Sequence, residues 1–77
     1  MVNVTIFSTP TCIYCHKAKE FFESKGVKYK NINVAEDRKA LDHMVEISGQ
    51  MGVPVIEIGK KIIIGFDKTA IEKALAA

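Results

Sequence analysis

The chain has 77 residues, 48% of them hydrophobic, and its 11 basic and 9 acidic residues leave a net charge of +2. A chain of this length predicts one domain, spanning residues 1–77, with no room for a second. The balanced charge is not typical of proteins that bind nucleic acid or membranes. Met1 leads into neither a signal sequence nor a long apolar run, so we expect a cytoplasmic protein without a membrane segment.

The first half of the chain predicts a strand, a helix and a second strand. Residues 2–7 are β-branched and aromatic, which is typical of a central strand. Apolar residues then recur at helical spacing, and Lys25-Gly26 ends that helix. Residues 27–34 alternate, but their apolar face switches between Tyr29 and Ile32, which favours an edge strand with a bulge.

The second half predicts a helix, a hairpin and a last helix. Residues 37–48 have helical spacing with acids in the first turn and Gly49 as the stop. A strand begins at or beside Pro54, and Gly59-Lys60 turns it into a returning strand at residues 61–64. Asp67 is expected to cap the last helix. The resulting order, β-α-β-α-β-β-α, indicates the α/β class, without repeats or a linker.

Both cysteines lie in residues 8–16, S-T-P-T-C-I-Y-C-H, between the first strand and the first helix. If the helix begins at or just after Cys12, the positive end of the helix dipole should make this thiol ionise more readily than an ordinary cysteine. Cys15 lies one turn on, facing inward, where it is suited to attack a mixed disulfide formed at Cys12. A disulfide between them closes a very short loop, so we expect a redox role rather than a structural one.

Three other interpretations of this stretch are open. C-I-Y-C-H matches the motif of covalent haem attachment, although such chains need an export route and a second axial ligand. A structural zinc site needs four ligands, and besides the cysteines the chain offers His16 and His43, both of which we expect to be exposed helix residues. The third interpretation is a pair of unreactive buried cysteines.

The element order, with C-I-Y-C after the first strand, V-P before the third and G-F-D after the fourth, resembles the glutaredoxins of the thioredoxin-fold superfamily over essentially the whole chain. The resemblance implies a four-stranded mixed sheet with helices on both faces, and a cis Val53-Pro54 bond opposite Cys12. It also implies a thiol-disulfide oxidoreductase, which we expect to be a monomer.

In that family Cys12 would be the nucleophile and Cys15 the resolving thiol. The substrate-binding residues implied by the resemblance are Thr11, Tyr14, Val53, Pro54, Gly65, Phe66 and Asp67. Val53 would pair its backbone with the cysteine of glutathione, and the backbone N–H groups after Gly65 would hold the γ-glutamyl carboxylate. We expect glutathione to be the electron donor, disulfide or glutathionylated proteins to be the substrates, and no permanently bound metal or prosthetic group.

Five positions depart from the family pattern. Thr9 stands where many members have a lysine that pairs with the glycyl carboxylate. The other four are Ile13 in place of a proline, Gly52 in place of a threonine, Ile64 in place of a glycine and Lys68 in place of an acid. A short chain with an altered C-x-x-C also resembles the hydrogen donors of ribonucleotide reductase, which take electrons from thioredoxin reductase. Against that subgroup, the chain keeps Tyr14 and has no tryptophan. A metal or iron-sulfur module using Cys12 is the alternative of another class.

Overall fold

The element order in the structure is the predicted β-α-β-α-β-β-α. The computed structural model describes residues 3–76, so Val2, the predicted start of the first strand, and the outermost residues of the predicted domain lie outside the described residues. The elements are β1 (Val4–Ser8), α1 (Ile13–Ser24), β2 (Lys30–Asn33), α2 (Arg38–Ser48), β3 (Val55–Ile58), β4 (Lys61–Ile64) and α3 (Lys68–Ala76).

The four strands form one mixed sheet in the order β2-β1-β3-β4. β1 pairs with β2 in parallel and with β3 antiparallel, and β3 pairs antiparallel with β4. Side chains of alternate strand residues pack on opposite faces, because successive residues of a strand point in opposite directions. One face packs on α1 and α3, through Val4, Ile6, Ala18, Phe22, Ile56, Ile58, Ile63, Ile71 and Ala74. The other packs on α2, through Phe7, Val34, Met44 and Val55. The predicted four-stranded mixed sheet with helices on both faces is therefore confirmed.

The second strand is an edge strand, as predicted, but it is shorter than residues 27–34 and its paired residues contain no bulge. Residues 30–33 pair with residues 5–8 of β1 in unbroken register. Tyr29 packs on the α1 and α3 face whereas Ile32 packs on the α2 face. Residues three apart on a strand point to opposite faces, so simple alternation accounts for the switch that the sequence suggested was a bulge. The Ser8 hydroxyl donates to Asn31 Oδ1 at 2.6 Å and adds a side-chain link between the two strands.

The ends of α2 and α3 are capped largely as expected. Asp37 Oδ1 accepts from the Ala40 N–H at 3.0 Å, and Gly49 ends α2 with a φ of 74°, which a residue with a side chain adopts only at a cost. The expectation of acids in the first turn of α2 is wrong, because that turn holds no acidic residue and Asp37 is the cap itself. Asp67 Oδ1 accepts from the N–H three residues on and caps α3.

Within residues 3–76, no helix is both long and apolar enough to cross a lipid bilayer.

Candidate active site

Cys12 lies in the connection between the carboxyl end of β1 and α1, and it is the residue that caps the helix. Its backbone is extended, with φ −85° and ψ 113°, and its Sγ accepts a hydrogen bond from the Cys15 N–H at 3.1 Å. The Cys12 N–H donates to the Thr9 carbonyl at 3.3 Å, which closes a β-turn whose last residue is Cys12. The helix begins directly after this turn. Sulfur here takes the place of the Ser, Thr, Asp or Asn oxygen that usually satisfies the first N–H groups of a helix.

Cys15 is less accessible than Cys12, and its burial makes it a weak acid. Both cysteines are free thiols, but the Cys15 side chain is fully buried whereas Cys12 is half-buried. Burial first, and then hydrogen bonding to the Cys12 side chain, raises the pKa of Cys15 from 9.0 to about 12. Cys15 is therefore a protonated thiol at neutral pH, and Cys12 is the sulfur that a substrate can reach.

The Val53-Pro54 peptide bond is cis, which confirms the prediction. The segment faces Cys12, whose thiol donates to the Val53 carbonyl oxygen with an S···O distance of 3.8 Å. The Val53 N–H has no hydrogen-bond partner among residues 3–76. Pro54 is buried, and its carbonyl accepts from the Gly65 N–H at 2.8 Å, so β4 holds this segment in place from the other side.

The residues after β4 form the third part of the site. Gly65 has a φ of 81°, a conformation that favours glycine, and it turns the chain from β4 into α3. The Phe66 ring packs edge-on against Phe21 of α1 with centroids 5.9 Å apart. The backbone N–H groups of Phe66 and Asp67 have no partner within the described part of the chain, and they lie at the positive end of α3.

Thr11 and Tyr14 flank Cys12 on the surface. Thr11 is exposed in the turn before Cys12. The Tyr14 side chain is 60% exposed, and the Lys17 ammonium lies 5.3 Å from the centre of its ring. The structure thus brings Cys12, Val53 and the Gly65 segment together, while Thr11 and Tyr14 adjoin them through their places in the chain.

His16 has a contact that sequence reasoning missed. It is exposed, as expected, but its Nε2–H donates to the Pro10 carbonyl at 3.1 Å and so ties the turn before Cys12 to the first turn of α1. The sequence feature that could have indicated this contact is the position of His16, four residues after Cys12. His43 is also exposed, and its ring centroid lies 5.9 Å from that of Phe7. The two histidines therefore lie on different elements, and neither joins the cysteines as a ligand set.

A family model described as Glutaredoxin matches residues 4–63. The chain belongs to the glutaredoxin family. It is 46% identical over 72 residues to an uncharacterized glutaredoxin-like 8.6 kDa protein in the rubredoxin operon of Clostridium pasteurianum, covering 94% of this chain and 96% of that protein. It is 37% identical over 67 residues to glutaredoxin 3 of Escherichia coli K12, covering 87% of this chain and 81% of that protein.

Two solved structures resemble this glutaredoxin over nearly its whole length. A glutaredoxin from Archaeoglobus fulgidus superposes with a TM-score of 0.89 at 26% identity, covering 100% of this chain and 89% of that one. The glutaredoxin-like protein NrdH-redoxin from Escherichia coli, described as having a thioredoxin-like activity profile, superposes with a TM-score of 0.84 at 27% identity and 92% coverage of both chains. The protein is therefore a thiol oxidoreductase of the glutaredoxin type.

Proposed function

We propose that this glutaredoxin reduces protein disulfides, or mixed disulfides between proteins and glutathione, with glutathione as the electron donor. The observation that carries the proposal is the contrast between the two thiols. Cys12 is accessible at the helix cap and lies beside Val53, whereas Cys15 is fully buried. An accessible sulfur next to a sheltered one is the arrangement needed for attack followed by resolution.

The substrate disulfide is reduced in two thiol-disulfide exchanges, and glutathione then restores the two cysteines. The Cys12 thiolate attacks one sulfur of the substrate disulfide, and the other sulfur leaves as a thiolate and takes up a proton. The Cys15 thiol then loses its proton and attacks the Cys12 sulfur, which releases the second substrate thiol and leaves a Cys12–Cys15 disulfide. Two molecules of glutathione restore both thiols and leave as glutathione disulfide, so two electrons pass from glutathione to the substrate.

The backbone around Cys12 supplies contacts for the glutathione tripeptide. The Val53 N–H, which is unpaired among residues 3–76, and the Val53 carbonyl would present a strand-like edge to the cysteine of the tripeptide. The N–H groups of Phe66 and Asp67, at the start of α3, have no partner in the described part of the chain and suit the γ-glutamyl carboxylate. Tyr14 and Thr11 would border the bound tripeptide, and Pro54 and Gly65 would hold the two backbone segments in position.

A thioredoxin-reductase-linked hydrogen donor is the second candidate. Thr9 stands where a lysine would pair with the glycyl carboxylate of glutathione, so one charged contact is missing. The fold is also similar to that of an NrdH-redoxin with a thioredoxin-like activity profile. These two observations make the identity of the electron donor the part of the function that most needs measurement.

Two assays test the proposal. The activity towards a glutathionylated protein should be abolished by Cys12→Ser. Cys15→Ser should lower this activity only in part, because glutathione itself can release the mixed disulfide at Cys12. The reverse pattern would contradict the roles given to the two cysteines. The wild-type protein is then supplied either with glutathione and glutathione reductase or with thioredoxin reductase, and faster turnover with thioredoxin reductase would favour the second candidate.

We also propose that the protein acts as a cytoplasmic monomer without a bound metal or prosthetic group. A reducing compartment keeps both thiols ready for reaction. Metal analysis and the absorption spectrum of the protein purified under reducing conditions test the second part, and stoichiometric iron or zinc would favour a metal-binding module. Sedimentation at several concentrations tests the monomeric state.

A further inference from the structure

The segment before Val53 is held by the side chain of Gln50. The Gln50 carboxamide accepts from the Gly52 N–H at 2.6 Å through Oε1 and donates to the Gly52 carbonyl at 3.0 Å through Nε2. A carboxamide carries an acceptor and a donor side by side, so it can pair with both backbone groups of one residue, as a residue of a neighbouring antiparallel strand does. No backbone group pairs with Gly52 within residues 3–76, so Gln50 takes the place of a strand partner.

Gln50 is itself tied to the end of α2. The Ser48 hydroxyl donates to the Met44 carbonyl at 2.6 Å and accepts from the Gln50 N–H at 3.4 Å. The Gln50 side chain then continues this connection to Gly52, which is followed in the chain by Val53. A series of hydrogen bonds therefore links the last turn of α2 to the residue whose carbonyl faces the accessible cysteine.

Position 52 is occupied by a glycine because of this contact and not because of its backbone. The φ of Gly52 lies outside the left-handed region that favours glycine. A Cβ placed on Gly52 would, however, lie 2.6 Å from Oε1 of Gln50, and the three nearest heavy atoms all belong to the Gln50 carboxamide. These atoms end a flexible side chain, so a side chain at position 52 would displace the carboxamide rather than the backbone. The threonine of the family pattern and the Gln50 contact therefore exclude each other.

We propose that Gln50 is a positioning residue for disulfide exchange. It fixes the backbone of Gly52, and thereby the direction in which Val53 presents its N–H and carbonyl beside Cys12. The inference rests on the proposed function, in which substrates pair with the Val53 backbone, and it adds the group that holds this backbone. Without the carboxamide, residue 52 is free to rotate, and a substrate paired with Val53 is less often aligned for attack. The Cys12 sulfur is held separately, by the first turn of α1.

The test compares two kinds of reaction of the fully reduced protein, measured without an electron donor. The first is the second-order reaction with a glutathionylated peptide or with the symmetric disulfide of a short peptide that has no carboxylate. The second is alkylation of Cys12 by iodoacetamide at a fixed pH, which needs the sulfur but no backbone pairing. The variants are Gln50→Ala, Gly52→Ala and the double variant. The control is Ser24→Ala, which removes a similar hydrogen bond, from the Ser24 hydroxyl to the Phe21 carbonyl, at the end of α1.

We expect Gln50→Ala and Gly52→Ala each to slow both disulfide reactions about fivefold, and to leave the alkylation rate within about twofold of the wild-type rate. The double variant should be no slower than either single variant, because the two substitutions remove the same contact. Ser24→Ala should retain the wild-type rate in all three reactions.

Unchanged disulfide rates in either single variant, or losses that add up in the double variant, would overturn the inference. A loss confined to the glutathionylated peptide would also overturn it, because Gln50 would then bind the tripeptide directly. An equal loss in the alkylation rate would do the same, since the effect would lie at Cys12 or in the stability of the fold. A wild-type protein that reacts with neither disulfide would contradict the proposed function itself, and the inference would fall with it.

Discussion

Raising the pH above the ordinary range of a thiol is expected to destabilise the reduced protein through Cys15. Its pKa is about 12 in the folded state against 9.0 for an ordinary thiol, with burial as the main cause. Between these two values the unfolded chain has lost the Cys15 proton while the folded chain retains it. Fewer protons are then bound in the unfolded state, so the free energy of unfolding falls as the pH rises. The contribution is complete below pH 9.0 and is lost progressively between that value and about pH 12.

The size of the effect follows from the width of that window. Each pH unit between the two pKa values costs about 1.4 kcal/mol, so the loss at about pH 10.5 is about 2 kcal/mol. This is a large part of the stability of a small domain. Lysine and tyrosine side chains also titrate at this pH, and a comparison with Cys15→Ala removes their contribution because they are common to both proteins.

The assay is urea unfolding of the wild-type protein and of Cys15→Ala, both kept reduced, at several values from about pH 7 to about pH 10.5. The free energy of unfolding of the wild type, taken relative to that of Cys15→Ala, should fall by about 2 kcal/mol over that range. The same comparison in a Cys12→Ala background tests the cause, since the larger part of the effect should remain when burial acts alone. Mass spectrometry after alkylation at about pH 8 should find Cys12 labelled and Cys15 spared.

A stability difference that does not change with pH would refute the reasoning, because the Cys15 thiol would then ionise as easily in the folded protein as in the unfolded chain. Disappearance of the effect in the Cys12→Ala background would place its cause in the contact between the two sulfurs rather than in burial. Labelling of Cys15 in the folded protein would show that the side chain is accessible, and it would weaken the distinction between an attacking and a resolving thiol.

Three further predictions concern the surface and the helix ends. Thr9→Lys should lower the KM for glutathione by up to about fivefold at low salt, and the decrease should become smaller as the salt concentration rises. An unchanged KM at low salt would favour thioredoxin reductase as the donor. The Tyr29 hydroxyl donates to the Glu23 carboxylate at 2.6 Å, and this hydrogen bond raises the pKa of Tyr29 to about 12. In a Tyr14→Phe background the phenolate absorbance should therefore titrate with a pKa of about 12, and Glu23→Gln should lower this pKa toward 10.0. Asp37→Ala should cost about 1 kcal/mol in urea unfolding through loss of the α2 cap, and an unchanged midpoint would mean that the cap contributes nothing.

Local patterns in the chain were sufficient for the order of elements and for the placement of the two cysteines at the start of α1. Alternation and helical spacing report which side chains face the core, and Gly49 and Asp67 mark helix ends by their backbone and side-chain chemistry. The cysteine spacing placed one thiol at a helix cap and the other one turn on, because this is a property of any helix that begins at that point. The cis bond before Pro54 was expected from the resemblance of the motifs.

Other features depend on contacts between residues far apart in the chain. The local pattern suggested a bulge because it assumed one buried face, whereas helices cover both faces of the sheet and Tyr29 and Ile32 pack on opposite ones. The high pKa of Cys15 arises from burial beneath the rest of the fold. The same holds for the 3.8 Å approach of Cys12 to Val53, because only packing brings residues 41 positions apart in the chain to one edge of the sheet.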